Sequence, residues 1–369
     1  MSQSVPPIPS LSSQTCLVTG GAGFIGCALS PALTARFGRV VAIDNLHPQI
    51  HATATRPAAL AAGVELAVGD VTVAEDWDRL LARVRPDVII HLAAETGTGQ
   101  SLTESDRHGR VNVCGATTML DALARAKHTP RRFVLSSSRA VYGEGGWLDG
   151  GGDITYPLNR SREMLAAETW DFEGLSYTPC SARTTWPQPC SIYGATKLAQ
   201  EHLLSAWSSA FGSELSIVRL QNVYGPGQSL TNSYTGILSL FCRLAREGEA
   251  IPVYEDGAML RDFVFIDDVA AAIMSVITSP LQPALDIGTG RATSILDAAG
   301  IVAQIYGAPP PVITGQYRFG DVRHAACDLA PTLQAIPDWR AEFTPETGLA
   351  RLVQWVEAQL AAVPVAASP

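Results

Sequence analysis

Tyr193 and Lys197 stand four residues apart at the start of a helix-forming run that continues to about Phe211. At that spacing both side chains share one helical face, so an ammonium can sit beside a phenol. A phenol that ionises near ~10 in water is a poor base at neutral pH. A neighbouring cation favours phenolate, and Lys197 is therefore expected to draw the pKa of Tyr193 down. Such a tyrosine can take the proton of a hydroxyl while a hydride leaves the same carbon. That chemistry needs a hydride acceptor, and the N-terminal third of the chain offers a place for one.

Thr15 to Gly20 reads as a short buried strand. Gly20-Gly21-Ala22-Gly23-Phe24-Ile25-Gly26 follows, opening an apolar helix to about Phe37. Glycines at 20, 23 and 26 let the backbone turn tightly, approach a pyrophosphate and pack helix on strand, while the helix N-terminus presents amide donors. A second strand, Val40 to Asp44, ends in an acid about 20 residues further on, where a carboxylate can grip the adenosine ribose. The spacing predicts a nicotinamide dinucleotide site. Asp44 would repel a 2'-phosphate, so NAD is expected over NADP.

Strands and helices then alternate: Val64 to Asp70, a helix to about Val84, Asp87 to Ala94, a helix from Asp106 to Lys127, and Arg132 to Ser138. Repeated units of this kind predict an α/β fold with a doubly wound parallel sheet, whose strand ends line one crevice. Gly69-Asp70-Val71, His91-Leu92-Ala93-Ala94 and Ser136-Ser137-Ser138 fall at those ends. His91 is read as a packing residue, with acid-base chemistry as the alternative.

The 369 residues, 47 % of them hydrophobic, suit a soluble catalytic unit with a smaller second lobe. A formal charge of -9 without a basic stripe argues against nucleic acid. No apolar run reaches the ~18 residues of a membrane span. The opening lacks the basic start and apolar segment of a signal peptide. Seven scattered cysteines fit reduced thiols, so a cytoplasmic location is expected. Residues 1–13 and 362–369 are expected to be loose tails. A Rossmann domain is expected over 14–225, with an insertion at about 143–190. A smaller, discontinuous α/β lobe is expected over 226–361, from which about 262–280 returns to the first domain.

Several motifs carry a family resemblance: VTGGAGFIG (18–26), AIDNL (42–46), GDV (69–71), HLAA (91–94), VN (111–112), LSSSRAVYG (135–143), YGATK (193–197), LQNVYGPG (220–227) and RDFVFIDDV (261–269). The chain resembles the extended short-chain dehydrogenase/reductase family, in particular its NAD-dependent nucleotide-sugar epimerases and dehydratases. The resemblance implies that Asp70 and Val71 flank the adenine, Ala93 lies beside the coenzyme and Asn112 helps hold its site. Asn45, Leu92, Ala94 and Ser136 belong to the same coenzyme-binding motifs. Ser138 would bond the reacting hydroxyl, Tyr193 would be the base, and Lys197 would bind the nicotinamide ribose.

Dehydratases of this family follow the catalytic Ser/Thr with Asp-Glu, because eliminating water needs an acid and a base. Here Arg139 and Ala140 follow Ser138. Neither can do that work, which leaves oxidation and reduction at one carbon. Within the resembled family this implies a 4-epimerase as the expected activity, with a nucleotide-4-ketosugar reductase and a non-catalytic coenzyme sensor as alternatives. DNLHPQIHA (44–52), HLAAETGTGQS (91–101), SSRAVYGEG (137–145) and RLQNVYGPGQSL (219–230) are similar to a bacterial subgroup that includes dTDP-L-rhamnose 4-epimerase and related O-antigen sugar enzymes. On that match Gly97 to Ser101 is expected to form a loop over the nicotinamide, bringing Thr98, Gln100 and Ser101 to the sugar, with a plain turn as the alternative.

About fifty residues separate Tyr142 from Tyr193, a length expected of a lid or a subgroup decoration. Arg160 to Glu173 is expected to contain a short helix, and Trp147 or Trp186 is a candidate sugar or base contact, with packing as the simpler role. Related insertions can carry Cys-x-x-Cys zinc pairs; this one keeps only Cys180 and Cys190, so no metal is expected. By family position Asn222 approaches the diphosphate, Asp321 the nucleotide ribose, and Arg261 and Arg318 the phosphates. Arg323 is an alternative to Arg318, and capping of the strand at 262–266 an alternative for Arg261. Planar guanidinium groups suit phosphate in an acidic chain. Asp267 and Asp268 are read as helix caps. The Ala/Leu-rich helices at 106–127 and 193–211 would pair in the family's manner into a homodimer, with packing inside one subunit as the alternative.

Overall fold

The computed structural model describes residues 10–51, 53–230, 236–281 and 284–362. Its centre is a sheet of seven strands: β1 (Thr15–Thr19), β2 (Arg39–Asp44), β3 (Val64–Val68), β4 (Val88–His91), β5 (Arg132–Ser138), β6 (Glu214–Leu220) and β7 (Leu285–Ile287). They are all parallel and run β7-β6-β5-β4-β1-β2-β3. The chain therefore winds one way from β1 and the other way from β4. Between those two strand ends lies the crevice that such sheets use for ligands.

Apolar runs such as Cys16-Leu17-Val18 suit strands buried on both faces. Cys16 and Val18 pack with Leu29, Leu33 and Ile273 of helices Phe24–Arg36 and Ile266–Thr278. Leu17 points the other way, toward Leu80, Met119 and Leu204 of helices Ala74–Leu81, Gly115–Arg125 and Ile192–Phe211. This is a Rossmann-like α/β sandwich. A separate core joins helices Ile237–Arg246, Ile295–Tyr306 and Pro345–Ala362 around Phe263 and Phe265.

Several boundaries differ from expectation. Leu11 is buried in the first core within a short 3-10 turn, Leu11–Ser13, so the ordered chain begins before residue 14. The rest of the expected tails, 1–9 and 363–369, lies outside the described residues. β3 stops at Val68, two residues short of Asp70. The returning segment extends past 280 to β7, and Ile336 and Trp339 beyond helix Ala330–Ala335 also join the first core. The expected helix from 106 is composite: Ser105–His108, a π-helical turn Gly109–Cys114, then Gly115–Arg125. Asp268 does not cap its own helix. Its carboxylate accepts the backbone amides of Glu342 and Phe343, tying the C-terminal segment to helix Ile266–Thr278.

The insertion builds a three-stranded antiparallel sheet from Trp147–Leu148, Ile154–Thr155 and Ser176–Tyr177. Its helix spans only Arg162–Ala166, capped by the Ser161 hydroxyl. Buried Arg160 pairs with Glu255 of the second lobe through two bonds of 2.8 and 2.9 Å. Arg323 reaches the same carboxylate at 3.0 Å. Glu144 of the insertion accepts the Arg323 amide at 2.9 Å. The insertion is thus fastened to the lobe by ion pairs held out of water.

Candidate active site

A cleft of about 1000 Å³ runs from the glycine turn, past the ends of β4 and β5, into the second lobe. Two glycines explain the floor. Gly20 has φ +64°, and a Cβ there would lie 2.8 Å from the backbone N and Cα of Ala93. A Cβ on Gly26 would lie 2.4 Å from Gly21 O, so only glycine lets the helix close onto the turn. Gly23, Phe24 and Ile25 complete this wall.

Asp44, at the end of β2, is buried and accepts the amides of Ala22 at 3.0 Å and Leu46 at 2.9 Å. Asn45 donates to Asp70 at 2.9 Å. Burial raises the Asp70 carboxyl, but bonds from Thr72 and Asn45 outweigh it and hold the group below its ordinary value. Val71, Leu92, Ala93, Ala94 and Ser136 also face the cleft. A tight turn at a helix N-terminus, an ordered carboxylate at the next strand end and an apolar ledge beyond it together fit a dinucleotide. Asn112 is fully buried off the cleft wall, in the π-helical turn. Its side chain bonds Glu95 N and O at 2.7 and 3.0 Å and Thr196 at 2.9 Å, fixing the loop that follows β4.

Ser138 closes β5 and Tyr193 opens helix Ile192–Phe211, whose Ser191 cap accepts the Gly194 amide. The Ser138 and Tyr193 side chains both face the cleft, with the Ser138 hydroxyl near enough to the phenol to bear on its ionisation. Here the expected effect of lysine on the phenol is corrected. Burial raises the Tyr193 pKa, and the groups that oppose it are Ser138 and Arg139. Lys197 instead donates to Gln200 at 2.8 Å, and burial lowers its own pKa to about 7, against the pull of Glu201. Gln200 continues to His91 at 3.1 Å, His91 shares a 2.8 Å bond with Thr19, and Thr19 accepts the Ala93 amide at 3.1 Å. Burial, assisted by Lys197, lowers the His91 pKa to about 3. His91 is therefore a neutral link that holds the lysine relative to the coenzyme ledge. Gln200 was missed in the sequence, although its position three residues after Lys197 puts it on the same helical face.

Arg139 donates to Asn222 at 2.7 Å, and both face the cleft. Arg261 is buried and donates to the carbonyls of Leu260, Val322 and Arg323, so it braces local backbone while also lining the cavity. Burial and the neighbouring Arg139 charge lower its pKa to about 10, with Asp321 opposing. Two guanidinium groups that repel one another in a low-dielectric cleft make a place for an anion. Arg318 is exposed on the wall, 5.2 Å from the Tyr254 ring centroid, and Asp321 lies beside it.

Arg318 and Arg323 look alike in sequence and differ entirely in place. The side chain of Arg323 is 1 % exposed, bonded to Asp171, Glu255 and Asp256, and it is not on the cleft wall. It cannot serve as a phosphate ligand there. Thr98 lines the cleft, but Gln100 and Ser101 are buried and turned away: Gln100 bonds Gln49 and Glu104, and Ser101 bonds Thr98 O. Trp147 packs against Phe172, Tyr177 and His324, while Trp186 is exposed; neither reaches the cleft. Cys180 pairs through its backbone with Cys327. Among the described residues no group of three or more His, Cys, Asp or Glu side chains is disposed around a metal. Among them, too, no helix is long and apolar enough to cross a membrane.

Comparison with known proteins agrees with this geometry. Residues 16–169 and 171–288 match the NAD dependent epimerase/dehydratase family. The chain is 57 % identical to the dTDP-L-rhamnose 4-epimerase of Burkholderia thailandensis, over 93 % of this chain and 95 % of that one. It is 28 % identical to the UDP-glucose 4-epimerase of Mycolicibacterium smegmatis, over 92 % of this chain and 97 % of the other. Among solved structures, the Thermotoga maritima UDP-glucose 4-epimerase with UDP-glucose superposes with a TM-score of 0.77 at 26 % identity, covering 94 % of this chain and 99 % of that one. The Thermus thermophilus UDP-glucose 4-epimerase with NAD gives 0.73 at 25 %, covering 95 % and 100 %. Matched along nearly its whole described length, the chain belongs to the NAD dependent epimerase/dehydratase family.

Proposed function

We propose that this chain is a nucleotide-sugar 4-epimerase acting on dTDP-L-rhamnose, with NAD kept as a resident coenzyme. The observation that carries the reading is the placement of Ser138 beside Tyr193 on the wall of the dinucleotide crevice, with Arg139 and Ala140 following Ser138 in sequence. The sugar nucleotide is taken from the 57 % identical relative. Gly20, Gly23, Gly26, Asp44, Asp70 and Val71 would hold the dinucleotide, with Ala93 beneath it. Bound there, NAD supplies a hydride acceptor for oxidation and the matching donor for reduction.

Tyr193 takes the C4 hydroxyl proton as that carbon is oxidised and returns it when the carbon is reduced from the opposite face. No proton or electron is gained overall. Ser138 holds the reacting oxygen, and Lys197, fixed by Gln200, would bind the ribose next to it. Arg139, Arg261 and Arg318 would receive the diphosphate, with Asn222 orienting Arg139 and Asp321 near the nucleotide ribose. The cleft volume leaves room for a hexose to turn over between the two half-reactions. Tyr193→Phe keeps the ring but removes the proton carrier, so turnover should fall by about 10²–10⁴-fold with the circular dichroism spectrum unchanged. Activity within threefold of the parent would contradict the assignment.

The enzyme would serve surface-polysaccharide synthesis in the cytoplasm as a homodimer. Supporting the dimer, helix Ile192–Phe211 leaves a small-residue face, including Ser205, Ala206, Ser209 and Ala210, exposed to solvent. Sedimentation equilibrium should give twice the chain mass; a monomer at micromolar concentration contradicts it.

A further inference from the structure

Gln49 and Gln100 lie on segments that leave the two neighbours of β1. Gln49 follows β2 by five residues, and Gln100 opens the short helix Gln100–Thr103 beyond β4. In the sheet β1 sits between β2 and β4, and the glycine turn Gly20–Gly23 leaves its end. Any contact between the segments from β2 and β4 must therefore cross in front of that turn. The two side-chain amides make such a contact. Gln49 Nε2 donates to Gln100 Oε1 at 3.0 Å, and Gln100 Nε2 donates back to Gln49 Oε1 at 3.3 Å.

The far side of this bridge is firmly set. Gln100 is 2 % exposed and also donates to Glu104 at 3.0 Å. Arg107 pairs with Glu95 and Glu104, each at 2.9 Å, and its guanidinium comes within 3.5 Å of His47 Nδ1, a second and longer link to the β2 side. His47 Nδ1 in turn accepts the Gln49 amide at 3.2 Å, holding the turn that presents Gln49. His47, Gln49 and His51 on one side, and Glu95, Thr98 and Arg107 on the other, face the same cleft. The bridge thus joins two loops that both line the crevice, Gln49 from the wall itself and Gln100 from behind it, and is not an isolated surface contact.

We propose that the Gln49–Gln100 amide pair is a latch that retains the dinucleotide between turnovers. Paired amides tie two loops across the crevice without adding charge beside a pyrophosphate. Opening the latch exposes both amides and frees the β2 segment to move, so escape of the coenzyme requires breaking it. This rests on the proposed reading in one respect: an epimerase must keep its coenzyme through both half-reactions, since release between them would strand an oxidised sugar.

The test is the dissociation rate of NAD from the purified, NAD-loaded full-length protein, for the parent, Q49A, Q100A and Q49A/Q100A. Released NAD is measured after rapid gel filtration over a time course. Q49A should accelerate release on the order of tenfold, the size expected for losing one hydrogen-bonded pair. The double variant should release no faster than Q100A alone, because the Gln49–Gln100 contact is already lost there; Q100A also loses the bond to Glu104. Release from Q49A within twofold of the parent overturns the latch, as do single effects that multiply in the double variant. Gln49 is only half-buried, so Q49A alone decides the matter if Q100A does not fold. No sugar enters this measurement. Failure to epimerise dTDP-L-rhamnose would count against the substrate and leave the release rates to judge the latch.

Discussion

At Tyr193 opposing influences set how readily the phenol ionises. Burial holds its proton on, while the Ser138 hydroxyl and the Arg139 guanidinium draw it off. Removing the positive charge at 139 therefore raises the Tyr193 pKa further. In the proposed mechanism the phenolate is the base of the oxidising half-reaction, so a higher pKa would leave less of it at neutral pH. Arg139→Gln should move the acidic limb of the pH–rate profile upward. An unchanged limb would mean that Arg139 acts on binding alone. Tyr193 and Lys197 were legible as a pair because their spacing is a property of the helix. Which way the lysine turns was not legible, since it depends on Gln200, His91 and Thr19 meeting from a helix and two different strands.

Among the elements, the glycine turn and strand ends were readable because their constraints are local: a backbone at φ +64° and an acid at the end of the next strand. The insertion was not. Its fastening joins Glu144, Arg160, Glu255 and Arg323, residues up to 179 apart in sequence, and the choice between Arg318 and Arg323 as cleft arginine hangs on that fastening. Glu255 is the shared acceptor, with side-chain exposure of 1 %. Glu255→Ala leaves buried Arg160 without its main partner and removes one of the three carboxylates around Arg323, and should cost about 3–5 kcal/mol in urea denaturation. A loss below about 1 kcal/mol, the scale of exposed pairs, would mean that water reaches the network. The π-helical turn at Gly109–Cys114 was likewise hidden, because 106–127 reads as helix throughout. Its consequence is local: buried Asn112 on that turn holds the loop after β4.

For the whole molecule, a chain of net charge -9 confines its positive groups for an anionic substrate to one cleft, where Arg139, Arg261 and Arg318 face a volume of about 1000 Å³. In the proposed reading, coenzyme at one end and nucleotide at the other would place the hexose between them, beside Ser138 and Tyr193. An enzyme of this kind runs without added reductant, because what is removed from C4 is returned to C4. The most direct test is proton NMR of the purified protein with dTDP-L-rhamnose and no added coenzyme. Inversion at C4, proceeding to an equilibrium mixture with no oxidised product accumulating, is the expected result. Conversion only of a 4-ketosugar, and only when NADH or NADPH is supplied, would contradict it and make the protein a reductase.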